Sequence, residues 1–538
     1  LPASGVEMPA AYKGWRVKSF EVRGLEQGMA RRLVNGLALA QSTGVLGTGD
    51  PTLYAETFAE DIERTALFLA RRGYPYASIR AEYDAAPRKR TLGITLVIDP
   101  GPAVTTAAVA VAGVPDPFAD EARRRVEMKP ERVFTDAAAV KAGEDIRSLL
   151  RDNGYADATV ETKLEWQDTT AVAVTFAATP GPRYRFGEKI VKGASDDLIG
   201  LVQKSVEADR GEWYSPRDIL RSRDNLRLLD LFRQVQVQTR PGGPDTLDTV
   251  SDLIQAEPRS LEVGLGYWTD DLIRARARWM HRNLFRRGRG FSIGGSASKF
   301  NQKANASAWW PAFVGARTRA AVTYKLERQD EDNYKLLHTG LELSLTYQYS
   351  IRTTARTAVE VSNNDLDVSP EFSEELDVED GRLTVLSLRL ARTASDDRLY
   401  PTKGTVSWID ILWAPPPESA SDNHFVSVEA SVTGYRSLMA GMVLAARVRA
   451  GAVEPIATSV DVIPNYRFYS GGASSMRGFK RRRLGPRDSA GDPIGGETKV
   501  EAAAEVRVPL VWRLRGALFI DTGQVWGRSN DTDLSQLE

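Results

Sequence analysis

With 538 residues, the chain is too long for a single compact core, so its length predicts several domains. Its 71 lysines and arginines balance 71 aspartates and glutamates, which removes any argument from net charge for a nucleic-acid-binding protein. The absence of cysteine excludes disulfides, a thiol nucleophile and a sulfur metal site. No apolar run approaches the ~20 residues of a membrane-spanning helix. We expect the three widely separated histidines, His281, His338 and His424, to be ordinary residues rather than ligands.

The first half of the chain contains one pattern three times, with a period of about 80 residues. Each copy begins with an extended run ending in glycine, continues with two helical stretches, and closes with two segments of alternating apolar and polar residues. In the first two copies the second helix ends at a glycine before tyrosine, Gly73 and Gly154, which is typical of a helix C-cap. The third copy has Asp230-Leu231-Phe232 there and keeps only the aromatic residue. The pattern predicts β-α-α-β-β units at 12–102, 103–181 and 182–257.

These units carry no Gly-rich phosphate loop, paired catalytic carboxylates or Ser-His arrangement. We therefore expect no enzyme, no catalytic residue, no cofactor and no metal. Small sheets of this kind have edges that accept an added strand from an extended client or partner, although the edges can equally be capped or charged. The sequence leaves both readings of the edges open.

From about Arg259 onward, the helical pattern gives way to two-residue alternation that predicts thirteen strands. The strands run to ~10 residues or more, as tilted membrane strands do, and several carry arginines on one face, which a water-filled lumen tolerates and a packed core does not. The long connections, 364–381, 414–423 and 454–497, all follow odd-numbered strands, whereas most even-numbered strands end in short turns. This asymmetry favours a transmembrane β-barrel over a soluble sandwich.

The connection 454–497 contains Arg477, Gly478 and Phe479. Alternation along the two following strands places Glu505 and Asp521 on the inward face. We expect the loop to fold into the lumen and to bring Arg477 beside these carboxylates, where a guanidinium gains charge-assisted and bidentate hydrogen bonds.

Three charged features have plainer interpretations. The inward carboxylates could be neutralised by Arg507, Arg513 or Arg515 instead, with Arg477 left in solvent. The acidic connection 364–381 matches no EF-hand spacing, so we expect a solvated loop rather than a cation site. The basic run after Phe479 could bind lipopolysaccharide, but we expect a solvated loop there too; it consists of Lys480, Arg481, Arg482 and Arg483.

Several segments together resemble the Omp85 superfamily. The loop around Arg477 resembles its sixth extracellular loop, and residues 395–404 resemble its periplasmic turn signature through Asp397, Arg398, Pro401 and Gly404. Residues 519–523 resemble its F-x-D-x-G strand motif, and residues 282–290 resemble the turn that opens its third strand. The resemblance covers nearly the whole chain. It implies periplasmic POTRA repeats and an outer-membrane barrel at 258–538 in a Gram-negative cell. It also implies that Arg477, with Gly478 and Phe479, locks onto Asp521 and Glu505.

Within the superfamily, three repeats and the segment 467–472 most resemble the TamA branch, the translocation and assembly module. That resemblance implies a factor that inserts or translocates client β-barrels, such as autotransporters, without a chemical step. Its barrel would open laterally beside the first strand, at Leu261, Val263, Leu265 and Tyr267. The implied partners are client outer-membrane proteins, membrane lipid and a TamB-type inner-membrane-anchored periplasmic protein, with no nucleic acid.

Two other functions remain open. One is a pore of the two-partner-secretion type that passes a client through the lumen, favoured by the polar lumen but not by three repeats. The other is a lipid-transport scaffold with an inner-membrane partner, against which the sequence offers nothing. The family barrel has sixteen strands where thirteen are predicted here, so we expect a C-terminally incomplete barrel and a functional protein that extends beyond Glu538.

Overall fold

The computed structural model describes residues 6–41, 51–269, 271–416, 421–438, 441–510 and 514–537. Arg513, one of the arginines weighed as a neutralising partner, lies outside these ranges. The chain forms two compact units. One holds residues up to 188 with 208–218 and 239–249, and the other holds 189–207, 219–238 and the residues from 250 onward.

The first two repeats have the predicted order of elements, with one additional short helix in the first. Their elements are β1 (Arg16–Arg23), α1 (Gln27–Val34), α2 (Ala38–Gln41), α3 (Ala55–Ala70), β2 (Ser78–Ala86), β3 (Thr91–Asp99), β4 (Thr105–Ala112), α4 (Asp116–Arg125), α5 (Asp136–Asp152), β5 (Thr159–Trp166) and β6 (Ala171–Thr179). In both repeats the first strand pairs in parallel with the third, which pairs antiparallel with the second. The third strand is therefore central, and its alternate apolar side chains are buried, as at Leu92, Ile94 and Leu96 of β3.

In the first two repeats, the glycine that follows the long helix, α3 or α5, also joins one repeat to the next. Gly73 and Gly154 have left-handed backbones, with φ of 91° and 102°. Their carbonyls accept hydrogen bonds from the backbone N–H groups of Val104 at 2.7 Å and Tyr184 at 2.8 Å, which follow the Pro-Gly-Pro segments. A Cβ at Gly73 would lie 2.5 Å from the carbonyl oxygen of Phe134. Helix termination and the joint between repeats thus depend on the same residue.

The third repeat contains β7 (Arg185–Lys192), α6 (Asp196–Ser205), α7 (Pro216–Leu228), β8 (Phe232–Gly243) and β9 (Thr246–Gln255), with the sheet order β7-β9-β8. Asp230 occupies the left-handed position after α7, with φ of 59°.

Thirteen antiparallel strands follow, each paired with its neighbours in chain order. They are β10 (Arg259–Trp268), β11 (Leu272–Leu284), β12 (Arg289–Ala297), β13 (Asn301–Pro311), β14 (Thr318–Asp330), β15 (Tyr334–Ser350), β16 (Thr353–Val368), β17 (Gly381–Thr393), β18 (Gly404–Ala414), β19 (Phe425–Ser437), β20 (Val443–Pro455), β21 (Thr498–Pro509) and β22 (Arg515–Trp526). The predicted count of thirteen strands is confirmed. None of the described helices has the length and apolar character required to cross a membrane.

Residues 219–238 of the third repeat, which belong to the same compact unit as this sheet, contact its short turns. Arg317, in the turn between β13 and β14, donates through Nε to Asn225 Oδ1 of α7 at 3.1 Å. Arg319 donates to the carbonyl of Leu228 at 3.0 Å, and Asp230 pairs with Arg282 of β11 at 3.3 Å. The short connections near β11 and β13, the second and fourth strands of this sheet, therefore lie beside residues 219–238 of the third repeat, as the alternation of loop lengths predicts.

Two long connections are shorter than predicted because the adjoining strands extend further. β20 includes Glu454 and Pro455, so the long loop, as we call it below, comprises residues 456–497. β16 continues to Val368, and the acidic segment then forms a short helix α8 (Pro370–Glu375) whose Phe372 is fully buried. The segment is therefore partly regular rather than a plain loop, whereas most of its acidic side chains are exposed, as expected, among them Asp365, Asp377 and Asp380. Among the described residues, no group of three or more His, Asp or Glu side chains could hold a metal.

Candidate functional site: the seated loop

The structure brings together Arg477, Asp521 and Glu505. Asp521 accepts from Arg477 Nη2 at 2.7 Å, Nε at 2.8 Å and the backbone N–H at 3.1 Å. Arg477 Nη1 donates to Glu505 Oε2 at 2.9 Å, and its guanidinium lies 3.4 Å from the centre of the Phe519 ring. One side chain thus contacts both of the last two strands from the inward face.

A tight turn in the long loop presents Arg477 to these strands. The backbone N–H of Gly472 donates to the carbonyls of Met476 at 3.2 Å and Phe479 at 3.0 Å, and Phe479 N–H donates to Met476 at 3.1 Å. Met476 is buried. Gly478 is exposed, and a Cβ there would meet nothing within 4 Å, so the structure assigns it no close contact.

Two further residues hold the loop tip, and the sequence reasoning missed both as partners of the loop. Glu501 of β21 is buried and accepts from Ser470 Oγ at 2.7 Å and from Ser475 Oγ. Arg447 of β20 donates to the carbonyls of Ser474 and Ser475, the first at 3.2 Å. The available signal was register, because Glu501 shares the inward face of β21 with Glu505.

The acidic partners are only partly neutralised by other arginines. Arg507 Nε donates to Glu505 Oε1 at 2.8 Å, so Glu505 lies between two guanidinium groups. Arg515 instead lies 3.6 Å from the ring centre of Tyr400. Hydrogen bonds to Asp521 raise the pKa of Arg477 above its usual value.

The basic run after Phe479 is not a solvated loop, and that expectation is wrong. Arg481 donates through both terminal nitrogens to Glu331, at 2.6 and 2.7 Å. Arg482 Nη1 donates to the Tyr334 hydroxyl at 2.8 Å and lies 3.2 Å from Glu331 Oε1. Arg483 pairs with Asp492 of the loop itself at 2.9 Å, and Lys480 is exposed. Contact between distant loops carries no periodic signal, so sequence reasoning could not find these pairs.

The predicted turn motif is a hydrogen-bonded turn between β17 and β18. Asp397 Oδ1 accepts from the backbone N–H groups of Leu399 and Tyr400, both at 2.7 Å. Pro401 is buried, Arg398 is exposed, and Gly404 has a left-handed backbone with φ of 101°.

Asp396, which the sequence reasoning did not single out, holds the other half of this turn. Its carboxylate accepts from Thr402 N–H at 2.8 Å, Thr402 Oγ1 at 2.5 Å and Lys403 N–H at 3.0 Å. These hydrogen bonds, that of the Thr402 side chain first, lower the pKa of Asp396 below its usual range.

The four predicted seam residues lie on one face of β10 and take no part in the Arg477 contacts. Leu261, Val263, Leu265 and Tyr267 are 68%, 69%, 82% and 70% exposed. Among the described strands, β10 pairs with β11 alone. β10 and β22 are thus the two edge strands of the described sheet.

Comparison with known families places this architecture. Residues 283–537 match the Omp85 superfamily domain, and residues 113–181 match POTRA, the surface antigen variable number repeat. The chain belongs to the Omp85 superfamily. An Omp85 barrel preceded by POTRA repeats is the predicted fold class, which is confirmed, as is the predicted location in the outer membrane with periplasmic POTRA domains.

Curated relatives of this Omp85 chain include two proteins named outer membrane protein assembly factor BamA. The one from Neisseria meningitidis serogroup B is 22% identical over 563 residues, covering 97% of this chain and 70% of the relative. The one from Nitratidesulfovibrio vulgaris is 21% identical over 521 residues, covering 92% of this chain and 63% of the relative. The chain thus spans about two thirds of their length. The crystal structure of BamA from Haemophilus ducreyi lacking POTRA domains 1–3 has the same fold, with a TM-score of 0.55 at 18% identity over 79% of this chain and 87% of that one.

Proposed function

We propose that this protein is an assembly factor for outer-membrane proteins, which helps client β-barrels insert into the membrane without a chemical step. The observation that carries the proposal is the seated long loop. Arg477 holds it against the inward face of β21 and β22, and Arg481 holds it at the turn before β15. A client passing through the lumen would have to break both ionic contacts, whereas a client joining the wall would break neither.

The first strand of the sheet offers the wall a point of entry. A strand edge in lipid leaves backbone N–H and C=O groups unpaired, at a cost of several kcal/mol for each group. Where the barrel opens beside β10, a client strand that pairs with this strand satisfies these groups, as strand addition does elsewhere. The apolar face of β10 at Leu261, Val263, Leu265 and Tyr267 then continues into the lipid-facing surface of the client.

The finer proposal is a TamA-like role with autotransporter clients and a TamB-type partner anchored in the inner membrane. It is supported by the three repeats and by the segment 467–472. We take residues 12–102, 103–181 and 182–257 as the three POTRA domains and 258–538 as the barrel, because β1–β3, β4–β6, β7–β9 and β10–β22 fall within those bounds.

Insertion into liposomes tests the proposal. The purified protein, reconstituted in phosphatidylcholine vesicles, is mixed with a small urea-unfolded outer-membrane barrel, and folding is followed by heat-modifiable migration. We expect faster folding than in empty vesicles and than in vesicles holding an unrelated porin at equal mass. Equal rates in all three would refute the assembly function.

A secretion pore is the second candidate, and one observation favours it. Beneath the long loop the lumen holds a cavity of about 480 Å³ lined by charged residues, among them Lys325, Glu342 and Arg389. If the protein is a secretion pore, client secretion should continue after deletion of residues 456–497. The variant should also conduct ions, and the client should block this conductance. The assembly function predicts that conductance rises while no client crosses the membrane.

A further inference from the structure

The turn between β14 and β15 contacts the long loop far from Arg477. It comprises residues 331–333, and β15 is separated from β21 by five strands of the sheet. Arg481 forms a two-pronged pair with Glu331, with both N–O distances below 2.8 Å. Its guanidinium also lies 4.4 Å from the ring centre of Phe300, which precedes β13. Arginine is suited to both contacts at once, because its planar guanidinium donates two hydrogen bonds to one carboxylate and stacks on an aromatic ring.

Arg482 adds a second cation to the same carboxylate. Its Nη1 lies 3.2 Å from Glu331 Oε1 and donates to Tyr334 Oη at 2.8 Å. Its guanidinium lies 4.2 Å from the ring centre of Tyr469, within the loop. The Glu331 side chain is only 8% exposed, so its charge is compensated by these arginines more than by water.

Hydrogen bonds from Asn333 and apolar packing extend the same attachment. Asn333 Nδ2 donates to Asp488 Oδ2 at 2.9 Å and to the carbonyl of Pro493 at 3.2 Å. Ile463 and Ile494 of the loop belong to one buried cluster with Tyr334. The turn and Tyr334, the first residue of β15, therefore contact the loop before, at and after the basic run.

We propose that Glu331 is a second anchor of the long loop, acting separately from the Arg477 contacts with Asp521 and Glu505. The two anchors tie one loop to strands that are far apart in the sheet. Release of the loop requires both to break, and loss of one leaves the other half of the loop in place.

Single cysteines report on each anchor, since the chain has none of its own. Met476→Cys reports on the first anchor and Ile494→Cys on the second, because both native side chains are buried. The measurement is the rate of maleimide labelling in membranes for each reporter, alone and combined with Glu331→Gln, Arg477→Lys or both. Heat-modifiable migration shows that each variant is folded.

We expect Glu331→Gln to raise labelling at position 494 about tenfold, the scale of one hydrogen bond to a charged group, and at position 476 less than about twofold. Arg477→Lys should do the reverse, and the double variant should expose both positions. The matched control is Asp332→Asn, because Asp332 is 60% exposed and lies 3.7 Å from Arg483; it should change neither rate.

Exchange of charge keeps the test decisive if Glu331→Gln folds poorly. The pair Glu331→Arg with Arg481→Glu should restore protection at position 494 relative to Glu331→Arg alone. The proposal is overturned if Glu331→Gln leaves position 494 protected, or if it exposes positions 476 and 494 equally.

The role of the second anchor in client insertion rests on the proposed function, whereas the labelling does not. Separate exposure of the two reporters with unchanged insertion rates would leave the anchor standing and count against the proposed function. Unchanged labelling with altered insertion would do the opposite.

Discussion

Among the single residues, Arg477 has surroundings that suit a guanidinium better than an ammonium group. Asp521 accepts hydrogen bonds from two of its side-chain nitrogens, and Glu505 accepts one from the third. The Phe519 ring lies against the plane of the guanidinium. Lysine carries the same charge, but it lacks a planar group whose N–H donors bind a carboxylate in pairs and whose face stacks on a ring. The identity of the residue therefore matters beyond its charge.

Substitution of Arg477 should weaken the seated loop in two steps. Arg477→Lys should cost about 1.5–3 kcal/mol, the range for lost charged hydrogen bonds. Arg477→Ala should cost about 3–5 kcal/mol, because it leaves the nearly buried Asp521 carboxylate without its partner. The measurement is the temperature at which heat-modifiable migration is lost. Arg507→Ala is the control, since among the described residues Arg507 forms an ion pair with Glu505 but none with Asp521, and an effect as large as that of Arg477→Ala would contradict this assignment.

Asp396 should give the turn between β17 and β18 a dependence on pH. Its pKa is lower in the folded turn than in the unfolded chain. Its contribution is therefore complete above the unfolded pKa of about 4 and is lost as the pH falls through the folded pKa. The difference in melting temperature between the native protein and Asp396→Asn should shrink below about pH 4. A difference that is constant from pH 7 to pH 2 would show that the charge has no role, and the exposed Arg398→Gln serves as the control.

For the secondary-structure elements, the joints between repeats link helix ends to the next domain. Gly73 and Gly154 end α3 and α5 in left-handed conformations and accept the amide of the following segment. Asp230 takes the equivalent place after α7 and pairs with Arg282 of the barrel. Beside Asp230 the carbonyl of Leu231 accepts from the backbone N–H of Ala256 at 2.9 Å, so the third joint adds an ion pair to a backbone hydrogen bond.

Alanine at two glycines, one in the interior of α5 and one just after its end, should have opposite effects. Gly154→Ala should cost about 1–2 kcal/mol, because the backbone is left-handed and the new Cβ would lie 3.0 Å from Arg183 Cγ. Gly143→Ala, in the interior of α5, should stabilise by about 0.5–1 kcal/mol, since its nearest neighbour would be an ordinary 3.5 Å away. Hydrogen exchange of the Tyr184 amide measures the joint. Unchanged protection of the Tyr184 amide in Gly154→Ala would contradict the role of Gly154 in joining the two repeats.

Sequence patterns were sufficient wherever the structure repeats. Two-residue alternation located thirteen strands and placed Glu505 and Asp521 on the inward face, where Arg477 meets them. The partners of Arg481 and Asp396 were not predictable, because they depend on the path of an irregular loop and on a turn's own hydrogen bonds. The extension of β16 and β20 was not predicted either. Strand ends that project beyond the membrane are polar, and their composition is that of a loop.

The whole molecule combines periplasmic repeats with a barrel, and the long loop is held against the inner face of the barrel wall. We propose that the seated loop directs the client to the wall beside β10, which is one of the two edge strands of the described sheet, the other being β22. The central claim is therefore that clients pair with β10 rather than with another part of the barrel.

Site-specific photo-crosslinking during client insertion tests this claim most directly. A photoreactive amino acid is placed at Val263 of β10 or at Leu343 of β15, whose side chains are 69% and 55% exposed. Because β15 is paired on both sides, it serves as the matched control. The account predicts adducts with the client at Val263 and none at Leu343. Equal adducts at both positions, or insertion without any adduct at Val263, would contradict it.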